Sequence, residues 1–293
     1  MTLSEIKENL RKVNYIANDQ IACAVSGTIN RHHPLLIEGD PGTGKTFLAK
    51  AIAKMLGAEL IRVQIYEGMT YDKILYDYDY QRQLLSINAM RATLEREMKD
   101  KSIEEALDYT SAINFYGKRF LIERPVLHSL TCQKPCVLLI DEVDKASEEL
   151  EYTLLEVLDE FRMTIPQYGT VECIGEPPMV FLTSNSYREL SDALKRRCNY
   201  LYLTRKTEEE IKNILILQAD INETLAQAVA SCIAKIQNLQ ELRQTPSIAE
   251  AITWAKFLQE DTEETHIKDT VYMLAKNKDD AILLQKSSIL TGM

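Results

Sequence analysis

The stretch LLIEGDPGTGKTFLAKAIA, residues 35–53, joins an apolar run to a helical segment through a glycine-rich turn. It matches the spacing G-x-x-x-x-G-K-[ST] at Gly39, Gly44, Lys45 and Thr46. The glycines allow the turn to curl so that backbone N–H groups face phosphate oxygens, and the helix N-terminus adds the positive end of its dipole. The stretch therefore predicts a phosphate loop between a strand and a helix.

Side chains of this loop are predicted to bind a nucleotide and its metal ion. Lys45 is expected to reach the β- and γ-phosphates, and Thr46 is expected to ligate Mg²⁺. A nucleotide and Mg²⁺ are thus the expected ligands of the loop, and the family resemblance described below implies that the nucleotide is ATP. A plain glycine-rich turn with a surface lysine is the alternative, which the strand before it and the helix after it disfavour. The predicted nucleotide contacts in the loop are Gly39, Asp40, Pro41, Gly42, Thr43, Gly44, Lys45, Thr46 and Phe47.

Five short apolar runs alternate with helical segments over the first two thirds of the chain. Continuous apolar runs of this kind are typical of parallel strands that are covered on both faces. The pattern predicts an α/β fold of the P-loop NTPase type, with a five-stranded parallel sheet between two helical layers. The runs are PLLIEG (34–39), ELIRVQI (59–65), PCVLLIDE (135–142), PMVFLTSN (178–185) and NYLYLT (199–204).

No strand-like run follows residue 205, and the remaining apolar residues recur at helical spacing. The first helix of this part opens with a capping box formed by Thr207 and Glu210. The sequence therefore predicts an α/β domain at residues 1–205 and an all-α domain at residues 206–293.

Acidic and amide side chains follow two of the predicted strands. Asp141 and Glu142 end the run CVLLIDE, and open α/β sheets bind ligands at that edge. Asp141 is expected to hold Mg²⁺ through water, and Glu142 is expected to act as the general base on the attacking water. Asn185, at the end of VFLTSN, is expected to orient the same water. The alternatives are a solvated helix start for Glu142 and a turn-forming role for Asn185.

Charge patterning sets one short segment apart from the rest of the chain. The 293 residues carry a net charge of -10, and an acidic chain is a poor general ligand for nucleic acid. Lys195, Arg196 and Arg197 nevertheless stand side by side in SDALKRRC. By themselves these cations fit either an anion on another molecule or a basic helix end that is favourable to the helix dipole.

The order of these motifs resembles the AAA+ ATPases, and about residues 10–285 look like their MoxR branch. The resemblance is closest to the type found beside genes for von Willebrand factor A proteins. Besides the phosphate loop, it rests on four segments: VQIYEGMTYDKILYDYDYQRQLL, FLIERPVLHSL, EELEYTLLEVLDEFRMTIPQYGTVECIGEPPMVFLTSNSYRELSDALKRRC and LRQTPSIAEAITWAKFL.

The resemblance implies a role for the basic segment. Arg197 is the best match to an arginine finger that contacts the γ-phosphate held by the neighbouring subunit, and Arg196 is the second choice. It also implies a homo-oligomer, expected to be a hexamer, with a helical lid. Tyr15 and Ile16 are added to the predicted nucleotide contacts. The expected partners are a protein client, which ATP hydrolysis would remodel or load with a cofactor, and a von Willebrand factor A protein.

Four further segments are interpreted through the resemblance. RMTIPQYGTVE (162–172) is expected to form a β-hairpin. The Tyr-rich segment 71–80 and an apolar hairpin at 115–130 are candidates for the client face, with core packing as the alternative for the tyrosines. Many related lids carry an arginine where this chain has TPSIAE (245–250), so Arg243 is the candidate substitute.

Compartment and metal content are predicted from what the sequence does not contain. No apolar run approaches the ~18 residues of a membrane span, and the N-terminus has no signal-peptide stretch, so a cytoplasmic protein with reduced cysteines is expected. Cys132 and Cys136 flank QKP, but no second Cys or His pair completes a zinc ligand set. Cys136 is therefore assigned to a buried strand.

Alternative functions use the same predicted fold. A nucleic-acid motor or loader would need a basic face, and the net charge disfavours it. A nucleotide-dependent switch with little turnover would not need Glu142 or Arg197. A P-loop kinase of small molecules would need neither a long helical lid nor a finger from a neighbour.

Overall fold

The fold is described from a computed structural model of the chain. Within the described residues, no helix is both long and apolar enough to cross a bilayer. The remaining residues of the two predicted domains lie outside the described part. The described residues are 1–98, 102, 104, 114–260, 267–287 and 289.

Five parallel strands form the central sheet. The strands of the described chain, in chain order, are β1 Leu35–Gly39, β2 Glu59–Gln64, β3 Tyr76–Tyr78, β4 Leu121–Glu123, β5 Cys136–Asp141, β6 Arg162–Ile165, β7 Gly169–Glu172, β8 Met179–Ser184 and β9 Asn199–Leu203. The spatial order in the central sheet is β2-β5-β8-β1-β9. Leu35 of β1 lies opposite Phe181 on one side and Asn199 on the other. The predicted five-stranded parallel sheet is confirmed.

Helices cover both faces of this sheet. Alternate residues of a strand point to opposite faces, so Leu36 packs in one hydrophobic core while Leu35 and Ile37 pack in another. Helices α6 and α7 contribute to the first core, and α1, α2 and α3 contribute to the second. The α-helices, in chain order, are α1 Leu3–Lys12, α2 Asp19–Arg31, α3 Lys45–Leu56, α4 Tyr71–Ile74, α5 Tyr80–Met98, α6 Pro125–Thr131, α7 Glu148–Glu160, α8 Asp192–Arg196, α9 Glu208–Ala219, α10 Glu223–Gln237, α11 Ile248–Glu260 and α12 Lys278–Lys286.

The predicted hairpin RMTIPQYGTVE is present. Strands β6 and β7 pair antiparallel, from Arg162 opposite Glu172 to Ile165 opposite Gly169. This hairpin lies directly before β8 in the chain, as expected from the sequence.

The prediction of a second local hairpin at 115–130 is wrong. Its one strand, β4, pairs antiparallel with β3 of the Tyr-rich segment, and Tyr78 lies opposite Leu121. A 3-10 turn precedes β4, and Pro125 opens α6 directly after it. Only three residues are therefore extended, and their backbone groups need a partner from elsewhere in the chain.

The tyrosines of segment 71–80 divide between core and surface. Tyr78 is buried, and its hydroxyl donates to the carbonyl oxygen of Pro166 at 2.9 Å. Tyr71 and Tyr80 are exposed, with 48% and 64% of their surface accessible. Core packing thus explains Tyr78, whereas Tyr71 and Tyr80 remain available for contact.

The helices after β9 enclose a hydrophobic core of their own. Trp254 of α11 is completely buried in it, and its indole Nε1 donates to Thr270 Oγ1 at 2.7 Å. Helix α9 begins with the predicted capping box, in which Thr207 and Glu210 satisfy each other's backbone N–H groups. The all-α character of the described part of 206–293 is confirmed, and the domain boundary near residue 205 stays a prediction.

Removing the indole should destabilise the helical region. Trp254→Ala is expected to lower the free energy of unfolding by about 3–5 kcal/mol, because it leaves a cavity and removes the indole N–H that donates to the Thr270 hydroxyl. Urea unfolding followed by circular dichroism measures this. Phe257→Ala, on the same helix but 39% exposed, is the control and should cost less than about 1 kcal/mol. Equal losses in the two variants would contradict the assignment of Trp254 to the centre of this core.

Candidate functional site

The loop between β1 and α3 closes around the Lys45 side chain. Lys45 Nζ donates to the carbonyl oxygens of Gly39 at 2.6 Å and Asp40 at 2.9 Å. Burial lowers the pKa of this amine, and nearby carboxylates, Asp144 first among them, oppose that shift. The loop therefore keeps a cation at its centre, against its own carbonyl groups.

Two glycines of this loop occupy places that no other residue fits. At Gly39, with φ of +153°, a Cβ would lie 2.3 Å from the carbonyl oxygen of Leu203. At Gly42, with φ of +81°, a Cβ would lie 2.7 Å from the Cβ of Ser247. Since Ser247 directly precedes α11, the loop is in close contact with the helical region.

Asp141, at the end of β5, accepts hydrogen bonds from three neighbouring elements. Its Oδ1 accepts from Thr46 Oγ1 at 2.9 Å and from Thr183 Oγ1 at 2.5 Å. Its Oδ2 accepts from the Arg62 guanidinium, with Nε at 3.0 Å and Nη2 at 2.6 Å. The side chain is only 4% exposed. These donors therefore compensate for the hydrogen bonds to water that the carboxylate loses on burial.

Glu142 adopts a backbone conformation that is uncommon for a residue with a side chain. Its φ is +59°, in the left-handed region, and its N–H donates to Thr183 Oγ1 at 2.9 Å. Its carboxylate accepts from Lys145 Nζ at 2.6 Å, a hydrogen bond that raises the pKa of Lys145. Residues in such conformations cluster at functional sites, where the surrounding structure holds them.

The loop after β8 is anchored by a buried carboxylate. Asp144 is fully buried, and its Oδ2 accepts from the N–H groups of Asn185 at 3.0 Å and Tyr187 at 2.9 Å. Its Oδ1 has no hydrogen-bond partner among the described residues. Asp144 thereby holds the backbone of Asn185 next to the strand end that carries Asp141 and Glu142.

These groups surround one cavity of about 430 Å³ at the carboxyl ends of the strands. Its lining includes the loop, the carboxylates and Asn185. It also includes the apolar side chains of Ile214, Ile248 and Ile252 from the helical region. The rings of Tyr15 and Phe47, which line it too, lie 5.7 Å apart. Eleven predicted site residues line it: Tyr15, Ile16, Gly42, Thr43, Gly44, Lys45, Thr46, Phe47, Asp141, Glu142 and Asn185.

The sequence pattern of the AAA domain (dynein-related subfamily) matches residues 34–198. The chain belongs to this family of AAA+ ATPases. The matched residues include the phosphate loop, the Asp141–Glu142 pair and Asn185. The match ends at Cys198, directly after the two arginines of SDALKRRC.

Curated relatives contain similar sequence within much longer chains. A mitochondrial Lon protease homolog of Dictyostelium discoideum is 29% identical over 224 residues, which are 73% of this chain and 19% of that protein. Lon protease of Fusobacterium nucleatum is 27% identical over 234 residues, 76% of this chain and 25% of that protein. Midasin of Giardia intestinalis is 41% identical over 54 residues, 18% of this chain and 1% of that protein. The chain thus spans a quarter or less of the length of these relatives.

Among solved structures, the chain is similar to the Thermotoga maritima RuvB Holliday junction branch migration motor. The identity is 18%, the TM-score is 0.44, and the alignment covers 96% of this chain and 68% of that chain.

Five predicted site residues of this AAA domain do not line the cavity. Gly39 and Asp40 belong to the loop, and their carbonyl oxygens accept hydrogen bonds from Lys45 Nζ. Pro41 lies in a small adjacent depression beside Arg205. The other two are Arg196 and Arg197.

The two arginines differ in how they are held. Arg197 Nε lies 3.2 Å from Asp159 Oδ2, and Nη1 donates to the carbonyl oxygen of Ala193 at 3.0 Å. Arg196 is exposed, and its guanidinium has no hydrogen bond or ion pair within the described chain. Neither contacts the cavity of its own chain, so a role for either at a neighbour's cavity stays a prediction.

The prediction that Arg243 replaces the arginine of related lids is not supported, because Arg243 does not line the cavity. Its side chain is 72% exposed and pairs with Asp279 at 2.9 Å. Its backbone N–H donates to Asp280, which fixes the segment against the start of α12. The cation that lines the cavity from this side is Lys206, directly before the α9 cap residue, with an 11% exposed side chain.

Sequence reasoning did not identify Arg62, Thr183 or Lys206 as site residues. Thr183 lies two residues before Asn185, on the same strand end, and could have been found from that spacing. Arg62 is a charge inside the apolar run ELIRVQI, which is unusual for a buried strand. Pairing of β2 with β5 brings it beside Asp141.

Arg62 should compete with a metal ion for Asp141. Arg62→Ala is expected to lower the Mg²⁺ concentration needed for half-maximal nucleotide binding, because it frees Oδ2 from a charged partner. A hydrogen bond to a charged group contributes about 1.5–3 kcal/mol, so a shift of about tenfold is expected. Mg²⁺ titrations of nucleotide affinity by calorimetry measure it. Arg91→Ala, on the exposed face of α5, is the control, and identical Mg²⁺ dependence in all three proteins would contradict the competition.

Proposed function

We propose that this AAA domain is a Mg²⁺-dependent ATPase whose active sites are completed between copies of the chain. The observation that carries the proposal is the convergence of Lys45, Thr46, Asp141, Glu142 and Asn185 on one cavity. Its volume of about 430 Å³ lies within the range of about 300–1,000 Å³ that is typical of small-molecule sites.

The cavity suits a nucleotide because its lining combines two kinds of chemistry. The loop presents backbone N–H groups, the N-terminus of α3 and the Lys45 amine, which favour phosphates. The side chains of Tyr15, Ile16 and Ile248 in the same lining favour a base.

Thr46 and Asp141 suit Mg²⁺. Thr46 Oγ1 and Asp141 Oδ1 already lie 2.9 Å apart, and hydroxyl and carboxylate oxygens are the kind of ligand that Mg²⁺ prefers. When bound, Mg²⁺ would neutralise charge on the phosphate oxygens.

The proposed chemistry is distributed over three strand ends. Lys45 would leave the carbonyls of its loop for the phosphate oxygens. Glu142 would leave Lys145 and accept a proton from the attacking water. Asn185, held by Asp144, would orient that water through its amide. In this arrangement Lys45 and Glu142 would each exchange a partner within the chain for a partner in the cavity.

A cation from a second copy would complete the site. Arg197 is the first candidate and Arg196 the second, because both lie on the surface outside their own cavity. A guanidinium from outside stabilises charge that develops during phosphoryl transfer. We accordingly propose a homo-oligomer, and from the resemblance a hexamer, in which 1–205 is the core and 206–293 the lid.

Movement of the lid would couple hydrolysis to a client. Two contacts join lid and core next to the loop. Gly42 lies against Ser247, and Arg205, which pairs with Asp40 at 3.0 Å, donates through Nη1 to the carbonyl oxygen of Gln237 at 3.1 Å. The MoxR resemblance supports remodelling or cofactor insertion in a client, together with a von Willebrand factor A partner. Exposed Tyr71 and Tyr80 support the Tyr-rich segment as part of the client face.

Two alternatives are separated from this proposal by simple measurements. A nucleic-acid motor would show DNA-stimulated turnover that falls with salt, and the net charge of -10 disfavours it. A switch would bind ATP with scarcely any steady-state turnover.

Glu142→Gln should bind ATP but hydrolyse it slowly. The site keeps Lys45 and the Thr46–Asp141 pair, so affinity is retained, while loss of a general base typically costs about 10²–10⁴-fold in rate. Phosphate release measures turnover, and calorimetry measures binding. Glu149→Gln, exposed in the first turn of α7, is the matched control and should behave like wild type. Wild-type turnover in Glu142→Gln would show that Glu142 only begins the following turn.

Mixing two inactive variants tests the site between copies. Arg197→Ala should lose about 10³-fold or more in turnover with ATP binding kept, and Lys45→Ala should lose ATP binding. In a mixture, some interfaces unite the intact cavity of the first with the intact arginine of the second. Activity should therefore partly return and rise with total concentration.

The control is the double variant Lys45→Ala/Arg197→Ala mixed with Arg197→Ala, which offers no interface with both parts. No rescue in the test mixture, under demonstrated co-assembly and with Arg196→Ala also tried, would refute a finger from the neighbour.

A further inference from the structure

Three metal-ligating side chains meet on the opposite edge of the central sheet from the cavity. Glu59 begins β2, and His128 and Cys132 lie at the end of α6 and directly after it. Glu59 is opposite Cys136, the first residue of β5, in the strand register. Because β2 and β5 are parallel, this edge is a full strand length from Asp141 and belongs to no part of the proposed ATPase site.

The donor atoms are spaced as the ligands of one small metal ion would be. His128 Nε2 lies 3.4 Å from Glu59 Oε1, and Cys132 Sγ lies 3.5 Å from Glu59 Oε2. One donor atom from each of the three residues falls within 4.8 Å of the others. Tetrahedral bonds of about 2.1 Å to nitrogen and oxygen and 2.3 Å to sulfur place N and O about 3.4 Å apart, and S and O about 3.6 Å apart.

A second carboxylate stands behind the histidine. Glu123 Oε2 lies 3.7 Å from His128 Nδ1 and accepts a hydrogen bond from Thr131 Oγ1 at 3.0 Å. Metal-bound histidines usually direct their other ring nitrogen to a carboxylate or a carbonyl, which sets the tautomer and the ring orientation. Here that arrangement leaves Nε2 directed at Glu59 and Cys132.

We propose that Glu59, His128 and Cys132 bind a zinc ion. A thiolate, an imidazole and a carboxylate in tetrahedral spacing form a donor set that suits Zn²⁺, whereas Mg²⁺ and Ca²⁺ prefer oxygen ligands alone. The fourth position is open to water, since Cys136 is buried and its thiol donates to the carbonyl oxygen of Ser129 at 3.5 Å.

The ion would connect elements that the strand ladder leaves separate. Glu59 belongs to the edge strand of the central sheet, and His128 and Cys132 to the end of α6. Glu123 lies in β4, which pairs with the Tyr-rich strand β3. Zinc at this place therefore fixes α6 and the small β3–β4 sheet against the central sheet.

Zinc binding by the full chain, without nucleotide or Mg²⁺ and with cysteines kept reduced, tests the proposal. Competition with a chromophoric chelator should give one zinc ion per chain with micromolar or tighter affinity. Co²⁺ should give the absorption of a tetrahedral ion with a single thiolate ligand. Zinc should also raise the melting temperature, because it binds the folded state. Millimolar binding, or an octahedral Co²⁺ spectrum, would overturn the site.

Variants assign the ligands. Cys132→Ser, His128→Ala and Glu59→Gln should each weaken binding by more than the about 10–100-fold expected for Glu123→Gln, which removes only the carboxylate behind the histidine. Cys23→Ser, at an exposed thiol far along the chain from the three residues, is the thiol control and should bind as wild type. Circular dichroism without zinc checks that each variant is folded. Retained affinity in Cys132→Ser, or affinity lost equally in Cys23→Ser, would show that the three residues are not the ligands.

Discussion

The buried carboxylate of Asp141 is the interaction on which the arrangement of the site depends. It ends strand β5 of the central sheet and accepts hydrogen bonds from Thr46 on α3, Thr183 on β8 and Arg62 on β2. A carboxylate removed from water is costly unless such donors surround it. The same bonds that satisfy its charge therefore align the phosphate loop with the ends of three neighbouring strands.

A second buried carboxylate extends this alignment to the loop after β8. Asp144 holds the backbone of Asn185 and Tyr187, while Glu142, between Asp141 and Asp144, is kept in a left-handed conformation. Lys45 and Glu142 both have partners within the chain, the loop carbonyls and Lys145. The strand ends and the loop are thus held in position, and Lys45 and Glu142 are each paired with a group that a phosphate and a water would replace in the proposed ATPase site.

Local patterns in the sequence were sufficient to predict the fold class and most of the cavity. Five apolar runs predicted five parallel strands, since a strand buried on both faces needs continuous apolar residues. The glycine spacing predicted the phosphate loop, because both glycines of the pattern, Gly39 and Gly44, have a positive φ that other residues rarely adopt. Asp141, Glu142 and Asn185 stand at the ends of predicted strands. They were predicted to share one site because parallel strands bring their carboxyl ends to the same edge of the sheet.

The sequence by itself thus determined what lies within one element or directly after it: strands, helices, caps and the loop. Only the tertiary structure decided which distant residues meet. Pairing of β2 with β5 brings Arg62 beside Asp141, and β4 pairs with β3 instead of with a strand next to it in the chain. Arg243 forms an ion pair with Asp279, whereas Lys206 lines the cavity. Such contacts join residues that are tens of positions apart in the sequence. They form because buried polar side chains and unpaired backbone groups need partners in space, and the spacing of residues along the sequence does not indicate which partners these are.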